Sequence, residues 1–169
     1  MFVTRGDRMM PSVALVAAKF AAKHGRGVWG ANLFCNVVVD PAKRDGKNIV
    51  VYYDDDSNGR DGGNVRTLAG SPSWYIDKMI ISASAADTAS ANSLMRGHVN
   101  FLCSVRSHPV FCEEDGIWYR FLHVAMLGRP RRPGRTTAGM DLYEATLRIV
   151  WRPMSTRDSD YTEITGIVV

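Results

Sequence analysis

The sequence predicts a single α+β domain, with an antiparallel or mixed β-sheet flanked by two α-helices and a long loop between strands. Three observations lead to this prediction: two segments repeat apolar residues at helical spacing, several segments alternate apolar and polar residues, and helices do not alternate regularly with strands. A parallel sheet of βαβ units would need more helices than the pattern provides. The 169 residues suffice for one domain with a full hydrophobic core.

The composition is that of a folded globular protein, with 46% hydrophobic and 22% charged residues. The net charge of +4 is small and both signs are interspersed, so charge alone does not indicate nucleic-acid binding. Cys35, Cys103 and Cys112 form no C-x-x-C pair, which favours free thiols and synthesis in a reducing cytoplasm. No apolar run approaches the ~18 residues of a membrane span, so we expect no membrane partner. Lys19 within residues 10–20 favours an amphipathic helix over a signal peptide.

The first third of the chain reads as one helix followed by two strands. Residues 10–24 carry apolar residues at helical spacing, with Ser12 near the start and Gly25 after the end. Strands are predicted within residues 27–39 and at residues 49–53, with turn residues between them.

Residues 54–73 are rich in Asp, Asn, Gly, Ser and Arg and predict a long loop. Loops of about 20 residues inside a compact domain usually carry function, so we expect an interface arm here. The polar residues of this arm are Asp54, Asp55, Asp56, Asn58, Arg60, Asp61 and Arg66. Its start matches half of a calcium loop, D-x-D-x-N-G, but Val65 stands where the bidentate glutamate is needed. We therefore expect a solvated acidic turn and no calcium.

The rest of the chain predicts a second helix and several strands. Residues 84–105 carry an apolar stripe at helical spacing, and the small residues Ala89, Ser90 and Ser93 are expected to let this helix lie close to the sheet. The predicted strands are residues 74–83, 109–112, 117–127 and 142–151, with a further tail strand at 164–169. Residues 154–169 form an extension beyond the last long strand.

Four arginines cluster in a segment that prolines and glycines interrupt, between residues 128 and 139. They are Arg129, Arg131, Arg132 and Arg135. Proline and glycine favour a loop over a helix here. Two interpretations have equal weight: a basic loop that faces DNA or an acidic partner, or a solvated hairpin tip.

Motifs for catalysis are missing from the sequence, which contains no G-x-S-x-G, no Walker loop and no H-E-x-x-H. His98 and His123 fall within regular elements, and we expect satisfied structural histidines there. His108, Cys112 and Cys103 offer part of a zinc site, but a fourth ligand is lacking. We expect no catalytic, metal or cofactor site and no enzyme.

Five segments occur in a particular order along residues 10–153. They are the G-x-N-L-F segment Gly30–Phe34, the aromatic strand Val50–Tyr53, the A-x(3)-A spacing of Ala85 and Ala89 with Leu94, the Pro/Gly/Arg loop that opens at Arg129, and the closing Trp151–Pro153. In this order the chain resembles the tail terminator and minor tail-completion proteins of long-tailed bacteriophages. It departs from them between Gly128 and Asp141, where the D-x-x-G-R step common in that family is missing.

The resemblance implies a ring, typically of six copies, that ends the growing tail tube and docks onto the neck. Its partners would be copies of itself, the tail tube protein and a head-completion or neck protein, with DNA passing through the lumen. Its location would be the virion tail or neck, after synthesis in the host cytoplasm. The departures leave open the neighbouring roles of head–tail connector or minor capsid protein of the neck.

Two further classes of function compete with the ring. A small nucleic-acid-binding module that uses the arginine segment would bind DNA with an affinity that falls steeply with salt. An enzyme would need convergent polar groups in a pocket. A ring needs one patch to meet a different patch on the next copy, and exposed sheet edges or the arm would supply such patches.

Overall fold

The computed structural model describes residues 2–5, 8–35, 46–53, 64–66, 72–105, 109–113 and 116–153. In chain order the elements are β1 (Phe2–Arg5), β2 (Arg8–Pro11), α1 (Val13–Lys23), β3 (Leu33–Cys35), β4 (Asn48–Tyr53), β5 (Asn64–Arg66), β6 (Pro72–Ala85), α2 (Thr88–Ser104), β7 (Pro109–Cys112), β8 (Ile117–Arg135) and β9 (Asp141–Pro153). Two helices and a mixed sheet confirm the predicted α+β class.

Helix α1 is held at its start by a side-chain cap and buried on nearly every side. Ser12 accepts a hydrogen bond from the backbone N–H of Leu15 at 3.2 Å, which satisfies one of the free donors of the first turn. The helix is rich in alanine, valine and leucine, and eight of its eleven residues are buried. It ends at Lys23, and Gly25 follows with a φ of +75° that glycine adopts without strain.

Helix α2 is amphipathic, and the side chain of Asp87 caps its N-terminus. The carboxylate of Asp87 accepts from the backbone N–H of Ser90 at 2.8 Å. Its buried residues recur at helical spacing and are Ala91, Met95, His98, Val99, Phe101 and Leu102. The rings of Phe20 on α1 and Phe101 on α2 stack at 5.7 Å, which joins the two helices.

The main sheet has the strand order β3-β4-β6-β9-β8-β7, and β5 pairs with β6 beside this path. Strands β3 and β4 are parallel, and the other described neighbours are antiparallel. The strand order therefore places β3 and the pair β7 and β8 at opposite sides of the sheet.

The hydrophobic core lies between the two helices and one face of the sheet. Successive residues of a strand point to opposite faces, so Met79 and Ile81 on β6 share the core face with Leu147 and Ile149 on β9. All four are fully buried. On the other face of β9, Arg148 is exposed, as the predicted alternation required.

Several predicted boundaries are wrong. Residues 10 and 11 belong to β2, which forms a two-stranded hairpin with β1, so α1 begins only at Val13. Residues 27–32 are turn and irregular backbone, and the strand predicted there is reduced to β3. Strand β5 lies inside the predicted loop 54–73. The predicted tail strand and the extension 154–169 lie outside the described residues.

Candidate interaction edge and basic groove

Strand β8 has an outer side that its neighbours leave largely uncovered. On its inner side it pairs with β9 from Tyr119 to Arg135. On its outer side β7 pairs only with residues 117–120. Within the described residues no strand covers the outer side from Phe121 onward. Among the described residues, therefore, no strand pairs with the backbone donors and acceptors of that side.

Residues 121–127 form the part of this edge that precedes Gly128, and we call it the open half; its register with β9 shifts once, between Phe121 and His123. It contains neither proline nor glycine. Phe121 and Val124 are buried in the core and fix the strand in place. His123 is exposed, and Met126 is 39% exposed, one of three large apolar side chains that the described residues present to solvent. An uncharged strand with a free edge is a surface to which a further strand adds readily.

Residues 128–135 form a half that resists such pairing, and we call it the guarded half. Pro130 and Pro133 have no backbone N–H to offer. The pairing with β9 shifts register on both sides of Arg131, which marks bulges. Prolines, bulges and charges are the devices by which proteins protect sheet edges.

The four predicted arginines lie in the guarded half of β8, so the prediction of a loop from 128 to 139 is wrong. Only residues 136–140 form the turn to β9. Arg131 pairs with Glu144 at 3.0 Å. Arg132 and Arg135 both bind Asp141, at 2.7 and 3.2 Å. The remaining arginine, Arg129, is exposed and has no ion pair to the part of the chain that is described.

Asp141 is the anchor of this cluster. Its side chain is 1% exposed and also accepts a hydrogen bond from the Thr88 hydroxyl at the start of α2, at 3.2 Å. The hydrogen bond from Arg132, with further help from Arg135, holds the pKa of this carboxyl below its ordinary value. The carboxylate therefore ties two arginines of β8 to the helix layer.

Most of the predicted interface arm lies outside the described residues. Asp54, Asp55, Asp56, Asn58, Arg60 and Asp61 lie outside the described residues. Arg66 ends β5, whose backbone pairs with the beginning of β6. A strand thus interrupts the stretch that was predicted to be one continuous loop.

A groove of about 940 Å³ opens between the loop after α1, the beginning of β4 and the exposed side of α2. The residues that line it are Gly25, Arg26, Gly27, Val28, Asn32, Lys47, Asn48, Ile49, Ala89, Ser90, Ser93, Leu94, Gly97 and His98. Arg26 and Lys47 are its charged residues, and both are cationic. The small residues of α2 were predicted to contact the sheet. That prediction is wrong for Ala89 and Ser93, which are exposed and form the groove wall.

His98 lies at the groove with neither ring nitrogen in hydrogen-bonding geometry to the described residues. The backbone of Arg26 is near the ring but outside that geometry, and the imidazole is 2% exposed. Burial lowers the pKa of His98 to about 4, so the ring is neutral near pH 7. The prediction of a satisfied histidine is wrong: a buried polar group without a partner costs about 1–3 kcal/mol.

Asp77 is a buried acid that the sequence pattern did not single out. The indole N–H of Trp151 donates to its carboxylate at 2.6 Å, and the Tyr53 hydroxyl donates at 3.2 Å. These bonds join three adjacent strands, β4, β6 and β9, within the core face. Both donors are used inside the protein, which makes this network structural.

Metal binding and membrane insertion find no support in the described residues. His108 of the partial zinc set lies outside them, and no group of three or more His, Cys, Asp or Glu side chains is placed to hold a metal within them. No helix of the described part has the length and hydropathy to cross a membrane.

No family model matches this chain, and a search of curated proteins finds no match.

Proposed function

We propose that the protein is a structural subunit of a ring at the head-proximal end of a long phage tail, where it ends the tail tube and joins it to the neck. The observation that supports this most strongly is the open half of β8. It presents seven consecutive residues, 121–127, without proline, glycine, Asp, Glu, Lys or Arg. In this proposal the next copy adds a strand to that edge.

A closed ring requires two different surfaces on each subunit, because a head-to-tail contact repeats around the ring. The sheet has two such surfaces. One is the outer side of β8, and the other is the outer side of β3, at the opposite end of the strand order. The described part of β3 is Leu33–Cys35 and has β4 as its described partner, so the contact would combine strand pairing with side-chain packing.

In this proposal the guarded half limits the length of the strand pairing between copies. Strand addition along residues 121–127 would end at Gly128, because two further register shifts with β9 and two prolines follow. A limited strand pairing defines one angle between copies, whereas an unlimited one favours fibres. Arg129 stays available for an acidic tube or neck protein, or for the DNA that passes through the lumen.

The second candidate, a nucleic-acid-binding module, is less well supported by the geometry. Three of its four arginines donate to Glu144 or Asp141 of the same chain. Ion pairing lowers the positive charge that the segment offers to phosphates. A head–tail connector or a minor capsid protein of the neck would use the same edge of β8 and would differ only in its position within the virion.

The proposal is tested by negative-stain images and light scattering of the purified protein, alone and with the tail tube protein. We expect closed rings, with a mass that is a multiple of the 18.7 kDa subunit, and weak DNA binding. A protein that stays monomeric at high concentration with tube protein present would contradict the ring. Tight DNA binding by that monomer, lost with added salt, would support the nucleic-acid module instead.

A further inference from the structure

The basic groove at the β3 and β4 side of the sheet has the features of a ligand site that the ring proposal does not explain. It is a concave surface between three segments, and its volume of about 940 Å³ lies within the range of small-molecule sites. Its described lining includes Arg26 and Lys47 and no carboxylate. A site with two cations and no acid selects for anions.

The polar groups of the groove are arranged to donate. The Asn32 side-chain oxygen already accepts from the Val28 backbone at 2.7 Å, which leaves its amide nitrogen as a donor. The Ser90 hydroxyl donates to Asp87 at 2.8 Å, whereas Ser93 is exposed on the groove wall. Neutral His98 carries one N–H donor and one acceptor nitrogen.

His98 is the observation that separates this groove from an ordinary depression. An imidazole that is 2% exposed and has no hydrogen-bond partner among the described residues is a destabilising arrangement. Both ring nitrogens are covered, so a ligand atom in the groove would supply the missing hydrogen bond once the atoms above the imidazole move aside. The imidazole of His98 is neutral. It can therefore hydrogen-bond to an uncharged polar group of the ligand, or to an anionic group that Arg26 and Lys47 also bind.

Gly97 keeps the groove open beside His98. A Cβ atom added at this position would have no atom within 4 Å, and its φ lies outside the left-handed region. The backbone therefore does not require glycine here, although alanine favours a helix interior by about 1 kcal/mol. The missing side chain leaves space that a ligand can occupy.

We propose that this groove binds a small organic anion, with its phosphate or carboxylate group at Arg26 and Lys47 and a polar group at His98. The groove lies at the β3 and β4 side of the sheet, away from the open half of β8, although the proposed ring contact also uses the outer side of β3. Phosphate and carboxylate ligands share the oxyanion that arginine and lysine recognise. The test must therefore separate these two sources.

Calorimetric titration of the full-length protein with citrate, inorganic phosphate and a nucleoside monophosphate gives this separation. We expect one of these probes to saturate the protein at millimolar concentration or below and to shift the His98 ring resonances. Lys47→Ala should weaken that binding by about tenfold or more, since it removes a charge-assisted contact. Gly97→Leu should abolish it by filling the groove.

Two matched variants keep the result interpretable. Gly97→Ala leaves most of the space and should bind nearly normally. Lys23→Ala removes an equal charge from a lysine outside the groove and should also bind normally. Thermal melts establish that each variant is folded. No saturation by any probe, or equal affinities for Lys47→Ala, Gly97→Leu and the wild type, would overturn the site whatever the oligomeric state.

Discussion

The two halves of β8 lie on one strand and have opposite designs. Residues 121–127 combine buried anchors with one register shift and contain no Asp, Glu, Lys or Arg, whereas residues 128–135 combine prolines, register shifts on both sides of Arg131, and arginines that bind β9. Both halves pair with the same neighbour, so the difference lies in what each offers to its outer side. A free sheet edge therefore marks an interaction site only where the sequence does not protect it.

The largest effect is expected from charges placed on the open half. In the double variant His123→Lys with Met126→Lys, lysines occupy two exposed positions and repel an added strand. Assembly should weaken by about tenfold or more. Mass measured by light scattering over a range of concentrations reports this change.

The control for this variant adds the same two charges elsewhere. Asn100→Lys with Ala138→Lys uses exposed positions on α2 and in the turn before β9. Its assembly should equal that of the wild type. If both double variants assemble alike, the open half is not the contact.

A smaller effect is expected when the guards are removed. Pro130→Val with Pro133→Val restores two backbone N–H groups and raises the strand propensity of the guarded half. We expect species heavier than the ring, because the pairing edge becomes longer. Ala138→Val changes an exposed side chain in the turn outside β8 and adds no backbone donor, so it should leave the mass distribution unchanged. An unaltered distribution in the proline variant would show that the prolines do not limit pairing.

The smallest effect is local and depends on pH. Arg132 lowers the pKa of Asp141 in the folded protein, so their pairing stabilises the guarded half above the ordinary pKa of 3.8 and is lost as pH falls through the lowered value. Hydrogen exchange of residues 129–135 should therefore accelerate in acid before that of residues 121–127. Asp141→Asn should show the faster exchange already at neutral pH. Equal acceleration of both halves would mean that Asp141 does not anchor the guarded half.

Much of the fold follows from local sequence patterns. The alternation in β9 and the apolar stripe of α2 are sufficient to predict these two elements, because each element buries one face against the core. The extension of β8 to Arg135 was missed because proline and glycine argue against a strand. Here the pairing with β9 and the ion pairs of Asp141 outweigh that local preference.

The groove could not be predicted in the same way. Arg26, Lys47 and His98 are far apart in the sequence, and only the tertiary fold places the loop after α1, the start of β4 and α2 around one groove. Gly97 inside a helix was the one local signal, since a glycine there costs helix stability without a turn to explain it. The free outer side of β8 also depends on strand order, which periodicity does not encode.

Hydrogen exchange of the assembled protein, compared with that of its monomer, decides whether the open half is the contact between copies. If the next copy adds a strand to β8, the amides of residues 121–127 should be protected on assembly, while those of residues 128–135 change little. Assembly without added protection in residues 121–127 would contradict the assignment of this edge.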